Sequence, residues 1–288
     1  MTSDPRAVSI SILKGGVGKS TIAVNLSDRL AAKDNDVLFI DLDPNGHASV
    51  GLGFKDVYQN GDDIGDIILD DGDAAPEEVI KETGFGFDIL PSTKRLETVE
   101  NMLRSSSFPD VRVRQNIVEP LLGDEYDYIV TDSPAYRGKL SDNALVATQN
   151  LIVPLTPGSE SLAGFERITE RQLSPLREQI GLDILSIVPN RISNRIDQQN
   201  DDRELIQSLN EDFTEYVPEF ARISEEEFSR IDSGEMKPLP KPGIRERNAV
   251  SKSFSEKQPL AHYDPENDQV DHFDTLAEIV INGGTGYE

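Results

Sequence analysis

Lys14-Gly-Gly-Val-Gly-Lys-Ser-Thr21 is the densest stretch of chemistry in the chain. It follows the apolar run AVSISIL and leads into residues with helical spacing, the setting in which a glycine-rich loop can hold an anion. Gly15, Gly16 and Gly18, with Val17 between them, let the backbone curl until several N–H groups face one centre. The first turn of the helix that follows adds a partial positive charge. Lys19 has the reach for the β- and γ-phosphates of a nucleotide, the Ser20 hydroxyl suits Mg²⁺, and Thr21 is placed to bond an α-phosphate. The pattern G-x-x-x-x-G-K-[ST] wants a glycine where Leu13 stands, and a second lysine, Lys14, opens the loop instead.

Two acidic strand ends accompany the loop. Asp41 and Asp43 close the run VLFIDLD and share a face in extended chain. Asp132 closes YDYIVTD. Asp41 and Asp132 are candidates to hold Mg²⁺ through its water shell, which that ion gives up reluctantly. Asn190 ends ILSIVPN with an amide that offers both a donor and an acceptor. His47, His262 and His272 show no metal-ligand spacing and are expected at the surface or internally satisfied.

These residues need a frame. Strands are predicted at 7–13, 37–41, 87–90, 128–131, 151–155 and 184–188, the last ending at Pro189-Asn190. Helices are predicted at 19–32, 96–103, 111–122, 161–179, 201–213, 225–232 and 271–281, with a short one near 64–69. Short apolar strands alternating with longer helices give an α/β fold: a doubly wound, mostly parallel sheet flanked by helices. Residues 1–288 read as a single domain, with 237–262, which holds four prolines, as a mobile loop insertion.

Composition limits the rest. Net charge is −25, with 53 acidic against 28 basic residues, and hydrophobic content of 36% still suffices for a core at 288 residues. Lysine is scarce, and this balance resembles proteins of salt-loving archaea. Salt that screens the acidic surface is expected to stabilise such a chain. Thermal unfolding across a KCl series checks this, and maximal stability at low salt contradicts it. Absence of cysteine rules out disulfides, thiolate zinc sites and cysteine-held iron–sulfur clusters. No long apolar run or signal-peptide core is visible, so a cytoplasmic protein is expected. One basic island interrupts the acid: Lys237, Lys241, Arg245, Arg247, Lys252 and Lys257 against Glu246 and Glu256.

KGGVGKST, VLFIDLDPNG, ILPSTKRL, YDYIVTDSPAYRGKLSDNALVAT, ILSIVPNRI and HYDPENDQVDHFDTLAEIV together resemble the ParA/MinD family of deviant Walker A ATPases, closest to its small Soj-like partition members. The resemblance implies a P-loop NTPase fold of SIMIBI type, with ATP and Mg²⁺ as cofactors and slow, partner-stimulated ATP hydrolysis. It implies that Lys14 reaches across an ATP-dependent homodimer to the partner's phosphates, that Asp43 orients the attacking water, and that Asn190 reads the adenine edge. Lys14, Lys19 and Asp43 are thus the expected catalytic set. Asn45 departs from the family's usual glutamine, and Ser133-Pro134-Ala135 has one proline where two are common.

Cluster-carrying relatives are excluded because they need cysteines. The chain's last 31 residues hold no Lys or Arg, so lipid binding of the MinD type is not expected. The first strand starts near residue 7, so the extra N-terminal DNA-binding domain of larger partition ATPases is not expected either. What the resemblance implies is a nucleoid-associated switch that binds DNA non-specifically and is released through a ParB-like centromere-binding protein. The candidate DNA contacts are Arg191, Arg195, Arg222, Arg230, Arg245 and Arg247. Cargo positioning on a protein scaffold is the competing expectation, and net charge −25 weighs against DNA, whose phosphates are recruited by Lys and Arg.

Overall fold

VLFID is apolar on both faces and folds as a sheet interior: all five residues of strand β2 (Val37–Asp41) are buried. Side chains alternate across a strand. Phe39 accordingly packs with the helices on one face, and Leu38 and Ile40 with those on the other. Full burial of a side chain such as Phe39 contributes roughly 1.5–3 kcal/mol. The computed structural model describes residues 4–158, 180–193, 195–197 and 200–286.

The other strands are β1 (Arg6–Ile10), β3 (Lys81–Glu82), β4 (Asp88–Leu90), β5 (Tyr128–Asp132), β6 (Asn150–Leu155), β7 (Asp183–Ile192) and β8 (Ile244–Arg245). They form one sheet in the order β3-β4-β2-β5-β1-β6-β7-β8. Every pairing is parallel except β3 with β4. The helices used below are α1 (Lys19–Ala31), α2 (His47–Gly51), α3 (Leu96–Leu103), α4 (Lys139–Thr148), α5 (Asn200–Asp212), α6 (Glu225–Asp232), α7 (Asn248–Ser255), α8 (Leu260–Tyr263) and α9 (Val270–Asn282). Leu26 and Leu30 of α1 join Phe273 and Leu276 of α9 on one face of the sheet. Leu96 and Leu103 of α3 join Leu140 and Ala144 of α4 on the other. The chain leaves central β1 for β2 on one side and reaches β6 on the other, so a crevice opens at the carboxyl end of β1, where open α/β sheets bind ligands.

The doubly wound parallel sheet is as expected, and the differences are local. The predicted 111–122 helix is present over 112–121 but takes the π form at Arg114–Val118. The predicted 161–179 helix lies outside the described residues. β7 does not stop at Pro189 but runs to Ile192. Pro189 lacks an N–H, yet β8 pairs with β7 only at Asn190 and Ile192, so the ladder to β8 asks nothing of Pro189.

The largest difference is at 237–262, where a loop was expected. This stretch supplies β8, α7 and α8. Leu260 is fully buried, and its backbone N–H donates to Asn25 Oδ1 of α1 at 2.8 Å. His262 Nε2 lies 2.9 Å from Asp28 Oδ1 of the same helix. β8 and α8 are too short to show periodicity, and tertiary contacts with α1 supply what local propensity does not for α8.

Candidate functional site

The loop 14–18 leaves β1 and enters α1 through Gly18, which has φ +90°. Only glycine fits there. A Cβ on Gly18 would lie 2.2 Å from Asn190 Nδ2, and the dihedral itself disfavours any other residue. Asn190 Nδ2 in turn donates to the Val17 carbonyl at 2.7 Å, and its Oδ1 accepts the Arg191 N–H at 2.9 Å. Both ends of that amide therefore serve backbone. Asn190 thus braces the loop's curvature, and its amide keeps one N–H and one lone pair for a further partner. Val17 is buried, Gly15 and Gly16 are exposed, and Lys14, Ser20 and Thr21 are half-buried.

Lys19 is 6% exposed, and its Nζ donates to the Lys14 carbonyl at 3.1 Å. Burial lowers the pKa of its ammonium, while the carboxylates of Asp132 and Asp43 pull it back up. An incoming phosphate would relieve the same desolvation. The cavity around the loop measures about 330 Å³, and its walls include Gly18, Lys19, Ser20, Thr21 and Asp43.

The three acids differ sharply. Asp41 is fully buried and fully used: Oδ1 accepts the Asp43 N–H at 3.2 Å, and Oδ2 accepts the Ser49 N–H at 2.9 Å and hydroxyl at 2.6 Å. Burial pushes its pKa up to about 7 against those bonds. Asp41 therefore pins the 43–49 turn through three hydrogen bonds. Asp43 gives Oδ1 to the Asn45 N–H at 3.0 Å and side-chain amide at 2.8 Å, and it lines the cavity.

Asp132 is fully buried, and among the described residues no hydrogen bond of normal geometry reaches either carboxylate oxygen, although the Ser20 hydroxyl is close by. Burial, then the Asp41 charge, raises its pKa well above the ordinary 3.8, and the nearby Ser20 hydroxyl and Lys19 oppose the rise only in part. A buried carboxylate without a well-formed hydrogen bond is costly and marks a place for a cation. Asp132 with Ser20 therefore fits Mg²⁺ held through water and phosphate. Among the described residues no three His or carboxylate side chains converge to chelate an ion alone, which agrees with an ion that arrives with its ligand.

Several wall residues were not read from sequence as site residues. Asn45, His47, Ala135 and Phe254 all line the cavity. Phe254 comes from α7, and a Cβ added to Gly51 of α2 would lie 2.2 Å from its ring. Nothing local signals this, because the contact joins residues two hundred positions apart. His47 opens α2 three residues after the D-x-D-P run 41–44, a position that could have flagged it.

On the far side of β5, Glu100 of α3 is buried and accepts the backbone N–H groups of Lys139 at 2.7 Å and Leu140 at 2.8 Å, capping α4. A Cβ on Gly138 would lie 2.4 Å from this carboxylate.

The arginines expected to contact DNA differ in exposure and in partners. Arg245 is buried, its N–H donates to Gln269 Oε1 at 2.6 Å, and its guanidinium pairs with Asp268. This corrects its assignment, since a buried, paired guanidinium presents nothing to a phosphate backbone. Arg247 reaches the same carboxylate at 3.1 Å. Arg222 donates to the Val217 carbonyl at 3.1 Å, and Arg195 pairs with Asp197 at 2.8 Å. Arg230 is exposed on α6, and Arg191 lines the cavity. Lys237, Lys241, Lys252 and Lys257 are exposed.

Comparison with known proteins adds the following. Residues 5–182 match the AAA domain family. An uncharacterised protein of Methanocaldococcus jannaschii is 36% identical over 185 residues, 60% of this chain and 70% of its own. The sporulation initiation inhibitor Soj of Bacillus subtilis is 34% identical over 166 residues, 57% of this chain and 63% of its own. The chain spans 61–63% of the length of the Pseudomonas putida and Bacillus subtilis relatives. The structure of an ATP complex of McdA from Cyanothece aligns with TM-score 0.75 at 21% identity, covering 99% of each chain, a likeness of fold.

Proposed function

Because the chain belongs to the ParA/MinD family of ATPases through its AAA domain, we propose that it is a nucleotide-timed switch that dimerises on ATP, hydrolyses it slowly and then separates. The observation that carries this reading is the phosphate loop with Asp43 in one wall of its cavity and the buried carboxylate of Asp132 behind it. Loop amides and Lys19 bind the β- and γ-phosphates. Lys14 of a second copy completes the pocket, where a cation beside the transferred phosphate stabilises charge as it develops. Asp43 orients the water. Asp132 and Ser20 hold Mg²⁺, which neutralises phosphate charge when bound. ATP and magnesium complexes among the structural neighbours support the choice of ligands.

Downstream, a partition role is supported by the Soj and ParA relatives. In it the ATP dimer binds DNA non-specifically through the exposed lysines of 237–257, and a ParB-like protein triggers release. A dimer doubles those contacts. The second reading, positioning on a protein scaffold, is favoured by one observation: burial of Arg245 and pairing of Arg247 leave fewer cations at the surface of a chain of net charge −25. No helix among the described residues is long and apolar enough to cross a membrane.

Sedimentation in high KCl with ATP and Mg²⁺ tests the switch. The native chain is expected to double in mass. Lys14→Ala is expected to stay monomeric while still binding ATP. A native chain that remains monomeric removes the proposal. Adding DNA to the same run separates the two readings, since only the partition reading carries the dimer down with it.

A further inference from the structure

Arg191 is held in a backbone conformation that arginine seldom adopts. Its φ is +57°, and the β7–β8 register shifts between Asn190 and Ile192, so the residue sits in a bulge. The residues on either side are fixed. Asn190 is tied to the Val17 carbonyl of the phosphate loop, and Ile192 is buried in the core. A bulge re-aims one side chain without disturbing its neighbours, and strain of this kind collects where a residue has work to do. The re-aimed side chain is exposed and lines the cavity together with Gly18, Ser20 and Thr21. No hydrogen bond or ion pair of its guanidinium is found among the described residues, although acidic residues outnumber basic ones almost two to one.

We propose that Arg191 is a substrate-binding residue of its own chain, with its guanidinium taking phosphate oxygens of the nucleotide beside the loop amides. The inference deepens the nucleotide-switch reading and rests on it. It moves Arg191 from the DNA contacts to the nucleotide site. Planar, doubly donating guanidinium matches a phosphate better than any other side chain, and here it is already turned into the cavity that would receive one. Asn190 then has a second consequence: the same amide sets the loop through Val17 and positions the arginine through its backbone N–H.

Calorimetric titration with ATP and with ADP, both with Mg²⁺, tests this on three variants. Arg191→Gly removes the side chain at a position whose φ suits glycine, so its melting temperature is expected to equal or exceed the native value. Its affinity for both nucleotides is expected to fall about 10- to 100-fold. Arg191→Lys, which keeps the charge without the planar fork, is expected to lie between. A merely structural role predicts the opposite pattern, with unchanged affinity and altered stability. If Arg191→Gly binds within about twofold of native while Lys19→Ala binds nothing, the assignment of Arg191 is overturned and the nucleotide reading stands. If Lys19→Ala itself binds like the native chain, the reading beneath the inference fails.

Discussion

Asp43→Asn protein loaded with ATP and Mg²⁺ is expected to remain dimeric long after the native chain has separated, with phosphate release about 10²- to 10⁴-fold slower. The variant is chosen for its geometry. Asp43 Oδ1 accepts both the backbone and the side-chain amide of Asn45, and an asparagine oxygen can accept the same two bonds. The turn that leads into α2 therefore keeps its supports while the negative charge in the cavity wall is lost. Asp43→Ala removes charge and turn bonds together, so agreement between the two variants assigns the effect to the charge. Gel filtration after an ADP chase, with parallel phosphate assays, reads both quantities. Equal dimer lifetimes in Asp43→Asn and native protein would mean that hydrolysis does not set the clock.

Asp132→Asn is expected to make the nucleotide-free chain more stable and at the same time inactive. The native carboxylate is fully buried, and among the described residues no hydrogen bond of normal geometry reaches either oxygen. Its pKa stands well above the ordinary 3.8, with burial as the first cause and the Asp41 charge next. A carboxyl whose pKa is raised by folding binds its proton more tightly in the native state than in the unfolded one. Native stability from this group is therefore present at low pH and is lost as pH rises from about 4 through the raised value. Asparagine abolishes that loss. In EDTA at pH 7–8 the variant should gain about 1–3 kcal/mol, because the buried charge is removed while a polar amide of the same shape remains. That is about 2–4 °C in melting temperature per kcal/mol for a domain approaching this size. Adding Mg²⁺ and ADP should raise the melting temperature of the native chain and leave the variant's nearly unchanged. A variant that melts lower than native in EDTA would show that Asp132 contributes to the fold rather than burdening it. The trade is the usual one at a working site, where a group kept for function is a liability until its ligand arrives.

The parts of the molecule that sequence makes legible are those whose cause is local. VLFID is apolar at every position and forms β2 at the predicted bounds, and the spacing of Leu96, Val99 and Leu103 gives α3 at the predicted bounds. The phosphate loop is legible because its glycines answer a backbone requirement that can be stated without coordinates. Strand ends carrying Asp41, Asp43 and Asp132 are legible too, but not the division of labour among them. Ser49, which bonds Asp41, comes from α2, and among the described residues no hydrogen bond of normal geometry reaches Asp132. Residue type alone could not separate a spent carboxylate from an open one. Arg245 failed for a similar reason: it counts as one charge in a basic island, but Asp268, twenty-three positions later, draws it into the interior. β8 has two residues and α8 four, too few for a period to show. Asn190 and Val17 meet across 173 positions of chain, and no pattern within either segment contains that contact.

Glu100 has a mechanical meaning beyond its hydrogen bonds. The amides at the start of α4 are closed by a carboxylate from α3, not by a side chain of the turn before α4, which ends in a glycine too closely approached to carry one. Prising α3 from α4 would strand two amides and leave a charge in the interior, each at about 1–3 kcal/mol. The pair is therefore one stiff lever, with its outer arm at the solvent-facing Met102 and its inner arm on the segment that leaves β5 beyond Asp132. A load on the outer arm is delivered to the edge of the crevice beside the phosphate loop with little slack to absorb it.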